Sequence, residues 1–489
     1  MISIDELASY CKRRGFVYPS GEIYGGLSGF YDFGPLGVEM KNRIKQDWWN
    51  EFVKNEESIV GIDGAIITNP KVWKASGHTE NFTDPIMNCN KCGKEYRADH
   101  VVEDVLKIAA DGLDVAALNN LISKNKIKCP NCKKEFSNTK VFNLMFKTSV
   151  GAESENVAYL RPETAQLIFA NFKSVYENSR LKLPCGIAQS GKAYRNEIRP
   201  RNFLFRLREF EHMEIEFFTN PSKKNNCPRL KEVEDLEVNV YTQSMQEKKL
   251  KHKKMSVNDC VKKGFMKNKW QAYWNARIYK WYLSLGMNPK KMRLRQHLKN
   301  ELSHYAEDTW DWEYNYPFGW KELGGNANRG QFDLKQHEKY SKKKMSVMDD
   351  DKRVIPYVAS EPSLGVERLF LTLLIDAYTQ EKERILLKLN PKIAPIQVAV
   401  FPLVNKEKIP DKSRQIFELL KNEFQTFYDS SGSIGRRYRR QDEVGTPFCV
   451  TIDYETLKDN TVTIRDRDSM KQWRENVNEL ITVLKPRLK

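Results

Sequence analysis

Residues 203–218 read FLFRLREFEHMEIEFF, and a strand would display this run as two unlike faces. Phe203, Phe205, Leu207, Glu209, Glu211, Met213, Ile215 and Phe217 make one face, mostly apolar. Leu204, Arg206, Arg208, Phe210, His212, Glu214, Glu216 and Phe218 make the other, where cations give way to a ring and then to carboxylates. Such a strand predicts a sheet with one side on a core and the other on a ligand. Arg195 precedes the turn IRPRN and Arg206 follows it, so an antiparallel hairpin would bring both to one ligand. Guanidinium forks suit phosphate. An exposed Phe210 can stack on a base. Glu214 and Glu216 suit an ammonium group or a metal ion that bridges phosphates. The plain alternative is a solvent face laced with salt bridges, which accounts for neither Phe210 nor the order of the charges.

The rest of the chain divides around this strand. With 489 residues it is long enough for two to four domains. It has no run of about 18 apolar residues, and the opening MISIDELASYCKRRG lacks an apolar signal region, so a cytoplasmic protein without a membrane partner is expected. Residues 1–55 read as two helices, the first capped by Asp5. In the second, Met40, Ile44 and Trp48 form a stripe at helical spacing, suited to a core face or to a subunit interface. A helix is expected from Thr164 to Tyr176, another around Trp270, Trp274, Ile278 and Trp281, and a third around Leu369, Leu373 and Ala377. Residues 222–264 are crowded with lysine and read as an exposed insertion outside the core. After LNPKIAP (389–395) a new unit begins. IQVAVFPLV reads as a doubly buried strand, PFCVTID and TVTIR as a strand pair, and Met470 to Leu484 as a final helix. This alternation suggests a small α/β module.

Five of the nine cysteines, Cys11, Cys185, Cys227, Cys260 and Cys449, stand alone. The others form CNKC and CPNC, with Cys89, Cys92, Cys129 and Cys132. Two such knuckles match a structural four-thiolate Zn2+ site, and paired free thiols remain the alternative. The formal charge of +17 predicts a polyanionic partner, most simply nucleic acid. Arg436, Arg437, Arg439 and Arg440 around Tyr438 suit single-stranded RNA, or else a solvated helix face.

RNEI followed by FRLREFEHMEIEFF resembles motif 2 of the class II aminoacyl-tRNA synthetases. EPSLGVERLFLTLL (361–374) resembles motif 3, and FGPLGVEMKNRIKQDWW resembles motif 1. RADH, LRPETAQ, LSHYAEDTWDWEYNYPFGWKELGG and GRRYRRQDEVGTPFCVTIDY are similar to segments of homodimeric glycyl-tRNA synthetases. The resemblance implies an α+β fold. An antiparallel sheet flanked by helices would occupy residues 1–388, with a zinc-knuckle insertion at 86–140 and the Lys-rich insertion at 222–264. An α/β anticodon-binding domain would occupy 389–489.

The resemblance also implies glycine and ATP as substrates, Mg2+, tRNA(Gly) and a homodimer. Arg195 would hold the α-phosphate, Arg206 the γ-phosphate end, and Glu197 the adenine amine, while Phe210 and Arg368 sandwich the ring. Glu322 would lie near the phosphates or their Mg2+, and Asn196, Phe205, Leu323 and Gly365 complete the ATP site. Glu163, Glu214 and Ser363, with Arg97, Phe210 and Glu361, would form the glycine pocket. Arg195, Arg206 and Arg368 are the expected catalytic groups, and residues 436–440 would meet the anticodon. No G-x-x-x-x-G-K-[ST] loop is present, which fits an arginine-based site. Synthesis of diadenosine tetraphosphate is a possible side reaction. A synthetase for serine, proline, threonine or histidine is one rival reading. A non-catalytic RNA-binding relative is another, and would be marked by loss of Arg195 or Arg368, both of which are present.

Overall fold

The computed structural model describes every residue except 1, 109, 111, 153–155, 304 and 489. Nine strands form its main sheet. In chain order they are β1 (Ile59–Ile62), β2 (Cys185–Tyr194), β3 (Glu209–Thr219), β4 (Glu237–Tyr241), β5 (Lys253–Ser256), β6 (Met292–Gln296), β7 (Asp308–Tyr316), β8 (Gly319–Asn328) and β9 (Tyr357–Gly365). Their spatial order is β5-β4-β6-β7-β8-β9-β3-β2-β1. The six strands from β6 to β2 are antiparallel, and among the described residues the parallel pairings of this sheet are β4/β6 and β1/β2.

The alternation in the opening strand holds from Glu209 onward. Met213, Ile215 and Phe217 are buried in the main core, with the Phe217 ring 4.7 Å from Trp270 and 5.4 Å from Trp274. Upstream it fails. Asn202 and Phe203 take left-handed backbone angles, φ 59° and 56°, so 203–205 is a tight turn inside a loop. The carboxylate of Glu211, on the apolar face, is met by Lys41 and Lys45, both at 2.6 Å. Lys41 also pairs with Glu367 at 2.8 Å.

Three further helices frame the sheet after α1 (Ile4–Arg14) and α2 (Pro35–Trp49). They are α3 (Ala165–Asn178), α4 (Lys269–Ser284) and α5 (Val366–Ala377), as the periodicity predicts. The cap of α1 is Ser3, in a capping box with Glu6, rather than Asp5. Met40, Ile44 and Trp48 are fully buried in the chain's own core. Of the two readings of that stripe, packing within the protomer is the one the fold uses. At the far end of the β3 polar face, Phe218 packs against Phe172 of α3 at 4.4 Å, so only the middle of that face stays open.

The Lys-rich segment corrects its expectation. Residues 237–241 and 253–256 are β4 and β5 of the main sheet, with Val238, Val240, Val257 and Cys260 fully buried. In β4 the buried Val238 and Val240 alternate with Glu237, Asn239 and Tyr241, so period two outweighs bulk charge.

The C-terminal unit has its own sheet of β10 (Val398–Pro402), β11 (Thr426–Tyr428), β12 (Phe448–Ile452), β13 (Thr461–Asp466) and β14 (Gln472–Asn476), in the order β11-β10-β12-β13-β14. Helices α6 (Ile409–Lys421) and α7 (Ile434–Val444) accompany it. The final helix is shorter than expected, covering Leu480–Leu484. Residues 472–476 pair instead with β13, and Trp473 meets Phe448 edge-on. Among the described residues no helix is long and apolar enough to cross a membrane.

Candidate active site

Strand register lays out the floor of the site in rows. Gln189, Glu214, Ser363, Gly325 and Asp311 lie side by side across β2, β3, β9, β8 and β7. The next row holds His212 between Gly191 and Gly365, and Phe210 follows beside Ala193. Two adjoining cavities open on this floor. The first, about 120 Å³, is lined by Arg195, Glu197, Phe205, Arg206, Phe210, Glu322, Leu323, Gly365 and Arg368, among others. The second, about 180 Å³, is lined by Glu163, Glu214, Glu361, His297 and Asp311, among others. Arg195, Glu322 and Ser363 border both.

The guanidinium groups of the first cavity are held from behind. Arg195 Nε donates to Pro162 O at 3.0 Å, and its guanidinium stands 5.3 Å from the Phe210 ring. Arg206 Nε donates to Glu197 at 2.8 Å. Arg368 Nε donates to Phe205 O at 3.1 Å, its Nη1 pairs with Glu322 at 3.1 Å, and it lies 4.8 Å from the Phe205 ring. Planar cations held in this way suit a bent polyphosphate with an aromatic base beside it.

The second cavity is acidic and tightly wired. Glu214 accepts from Thr164 N at 2.9 Å, from the Thr164 hydroxyl and from Ser363 Oγ at 2.6 Å, and faces His212 Nδ1 at 3.2 Å. Burial opposes its charge, but His212 and the Ser363 hydroxyl outweigh it and hold the carboxyl down at about 2. Burial likewise opposes the charge of Glu163, where His78 at 3.3 Å prevails and keeps it well below the usual range. Glu361 is bound by Arg329 at 2.7 Å, and Arg329 is also clamped by Asp333 at 2.8 Å. Burial still pushes the Glu361 carboxyl up to about 8, so Glu214 and Glu163 are the carboxylates kept ionised next to the cationic cavity, where they can read an ammonium group.

Two expected members lie elsewhere. Arg97 lines neither cavity and pairs with Asp84 at 3.0 Å and with Asp99. Asn196 is outside both linings too, its backbone N–H bonded to Leu144 O at 2.7 Å. His297 and Asp311, 2.8 Å apart, join the second cavity without having been singled out. The only signal was the segment LSHYAEDTWDW, which contains Asp311 and follows His297 closely.

The four paired cysteines converge, their sulfurs all within 4.8 Å of one another. Cys92 and Cys129 are 3.8 Å apart and Cys89 and Cys132 3.3 Å. Sulfurs bound tetrahedrally at about 2.3 Å from one Zn2+ lie about 3.8 Å apart, so the donor set and spacing fit that ion. The intervening helices Ala98–Leu106 and Val115–Lys124 give the module a small core of its own.

On α7 the basic run splits by helical period. Arg437 is buried and donates to Pro402 O at 2.5 Å and Leu403 O at 3.3 Å. Tyr438 packs on Phe401 at 5.7 Å and bonds Thr451 at 2.7 Å. These two face the sheet, Arg437 buried and Tyr438 half-buried, which gives them packing partners within the domain. Arg436, Arg439 and Arg440, with Arg14 of α1, line an outer concavity.

The fold and this arginine-and-carboxylate floor define a class II aminoacyl-tRNA synthetase. In overall fold the chain is similar to prolyl-tRNA synthetase from Giardia lamblia solved with prolyl-adenylate (TM-score 0.61, 16% identity, 98% of this chain and 75% of that one). It is also similar to the Cryptosporidium parvum prolyl-tRNA synthetase with L-proline and AMP (TM-score 0.58, 13% identity, 99% and 76%). An anticodon binding domain profile matches residues 397–487. The sequence is 46% identical to the glycine–tRNA ligase of Geobacillus thermodenitrificans over 98% of this chain and 96% of that one. It is 44% identical to that of Caldanaerobacter subterraneus subsp. tengcongensis over 100% and 99%. The chain belongs to the glycine–tRNA ligase family and is an enzyme of that kind.

Proposed function

We propose that the two cavities bind ATP and glycine, join them as glycyl-adenylate with release of pyrophosphate, and pass the glycyl group to tRNA(Gly). The observation that carries this is the shared border of the cavities, where Arg195, Glu322 and Ser363 face phosphate-binding cations on one side and ammonium-reading carboxylates on the other. In the first step a glycine carboxylate oxygen attacks the α-phosphorus, and the bond from that phosphorus to the pyrophosphate oxygen breaks. Arg195 would hold the α-phosphate, Arg206 the far end, and Phe210 with Arg368 the adenine. Their work is positioning and charge stabilisation. Mg2+, when bound, would neutralise charge on the phosphates, and Glu322 would hold it. In the second step a terminal ribose hydroxyl attacks the glycyl carbonyl and AMP leaves. A second ATP acting as acceptor at that stage would give diadenosine tetraphosphate.

An amino-acid panel in ATP–pyrophosphate exchange tests the reading. Glycine alone should support exchange, and activation of serine or proline in its place would overturn it. Alanine differs by one methyl, a difference that favourable binding resolves by only about 1–3 kcal/mol, so its exclusion has to be steric.

The cysteine module would hold a structural Zn2+, four thiolates leaving no open position. Cys129→Ser is expected to release the ion and melt residues 86–140 before the rest of the chain, as metal content and protease digestion would show. A native mass without metal would refute it. Arg436, Arg439 and Arg440 would contact tRNA, so Arg436→Ala should raise the KM for tRNA and leave exchange intact. An unchanged KM would remove Arg436 from that interface. A homodimer is part of this reading, and sedimentation of a fully active monomer would exclude it.

A further inference from the structure

Glu216 lies two residues beyond Glu214 on the same face of β3, beneath the second cavity's lining and fully buried, and neither carboxylate oxygen has a hydrogen-bond partner. The register that sets Glu214 opposite Ser363 and Phe217 opposite Ser360 sets Glu216 opposite Glu361. Directly opposed residues on one face of an antiparallel pair have Cβ atoms about 4.5–5.5 Å apart. Two carboxylates that close, out of water, cannot both be ionised. We propose that Glu216 is a positioning residue of the glycine pocket: it holds one proton against Glu361 and surrenders it when an ammonium group enters.

The neighbours assign the proton. Burial pushes the Glu361 carboxyl up too, to about 8, but Arg329 at 2.7 Å favours its charge while neither oxygen of Glu216 has a partner, so the shared hydrogen sits on Glu216. Around Glu216 the charged groups are Glu214 on its own strand, Glu361 across on β9, and Arg329 with Asp333 beyond β8. On the β2 side its partner is Ile187, and α3 contributes Gln166, which bonds Asp333 and Glu163. One guanidinium thus serves several carboxylates. Burial first, and then Glu361, raise the Glu216 carboxyl well above the ordinary range.

A cation entering the second cavity favours the ionised form of the pair. The O–H bond of the Glu216 carboxyl then breaks, the proton passes to buffer, and a positive charge has replaced it. The unfolded chain ionises Glu216 at an ordinary carboxylate pKa, so folding takes up a proton at neutral pH. That contribution to stability declines as pH rises from the unfolded value toward the folded one.

The identity of the cation rests on the glycine reading above; the carboxyl pair does not. Calorimetric titration of the full-length protein with glycine at pH 7, in two buffers of different ionisation enthalpy, should show release approaching one proton per glycine. Glycine affinity should tighten by up to about tenfold per pH unit in that window. Glu216→Gln should release none and bind with a flat pH profile. Without glycine, the same variant should melt above wild type, with the gap widening from pH 5 to pH 8. Identical proton release in the variant, or a gap that does not widen, overturns the proposal. Failure of glycine to bind at all would sink the glycine reading, and the melting series would still decide the pair.

Discussion

Replacing Arg195 by alanine is expected to cut glycine-dependent ATP–pyrophosphate exchange by on the order of 10²–10³-fold, the usual cost of one preorganised group that stabilises charge in a transition state. Its guanidinium is anchored on Pro162 O and borders both cavities. It is therefore placed where the carboxylate and the α-phosphorus would meet. Lysine at 195 should restore little, because an ammonium group cannot fork onto two phosphate oxygens. Arg368→Ala should also fall by one to two orders of magnitude, chiefly through the KM for ATP, since Arg368 holds both the Phe205 side and Glu322. Near-normal exchange in Arg195→Ala would mean that nucleotide binds elsewhere.

Glu214→Ala is expected to lower kcat/KM for glycine by on the order of 10²–10³-fold, the range that follows from removing one partner of a buried charged hydrogen-bond set. The carboxylate gathers Thr164, Ser363 and His212, so its loss leaves buried donors unsatisfied as well as removing the charge. Glu214→Gln separates the two effects. It keeps the shape, and a similar drop there would assign the loss to charge. The KM for ATP should move little in either variant. Exchange that stays glycine-dependent at wild-type levels would exclude the role.

Much of the floor was legible because its determinants are local. Period two put Phe210 and Glu214 on one face of a strand, and tryptophans at helical spacing supplied the helix beneath. What was missed depended on long-range partners. Arg97 lies outside both cavity linings because it pairs with Asp84, thirteen residues upstream, as well as with its neighbour Asp99. Arg437 and Tyr438 look like an RNA-binding pair until the helix phase turns them toward β10 and β12. The Lys-rich segment was judged by its mean composition, though Val238 and Val240 at alternate positions already marked a strand. His297 had only the nearby segment LSHYAEDTWDW as a sign, since its place in the second cavity depends on Asp311 of the neighbouring strand.

The outermost strand, β5, carries Lys253 and Lys254 on an edge that no other strand covers. Unpaired backbone amides there would welcome a strand from a neighbouring molecule, and repeated ammonium groups make such a union costly. Neutralising those lysines should leave catalysis alone and shorten the time the protein stays dispersed at high concentration.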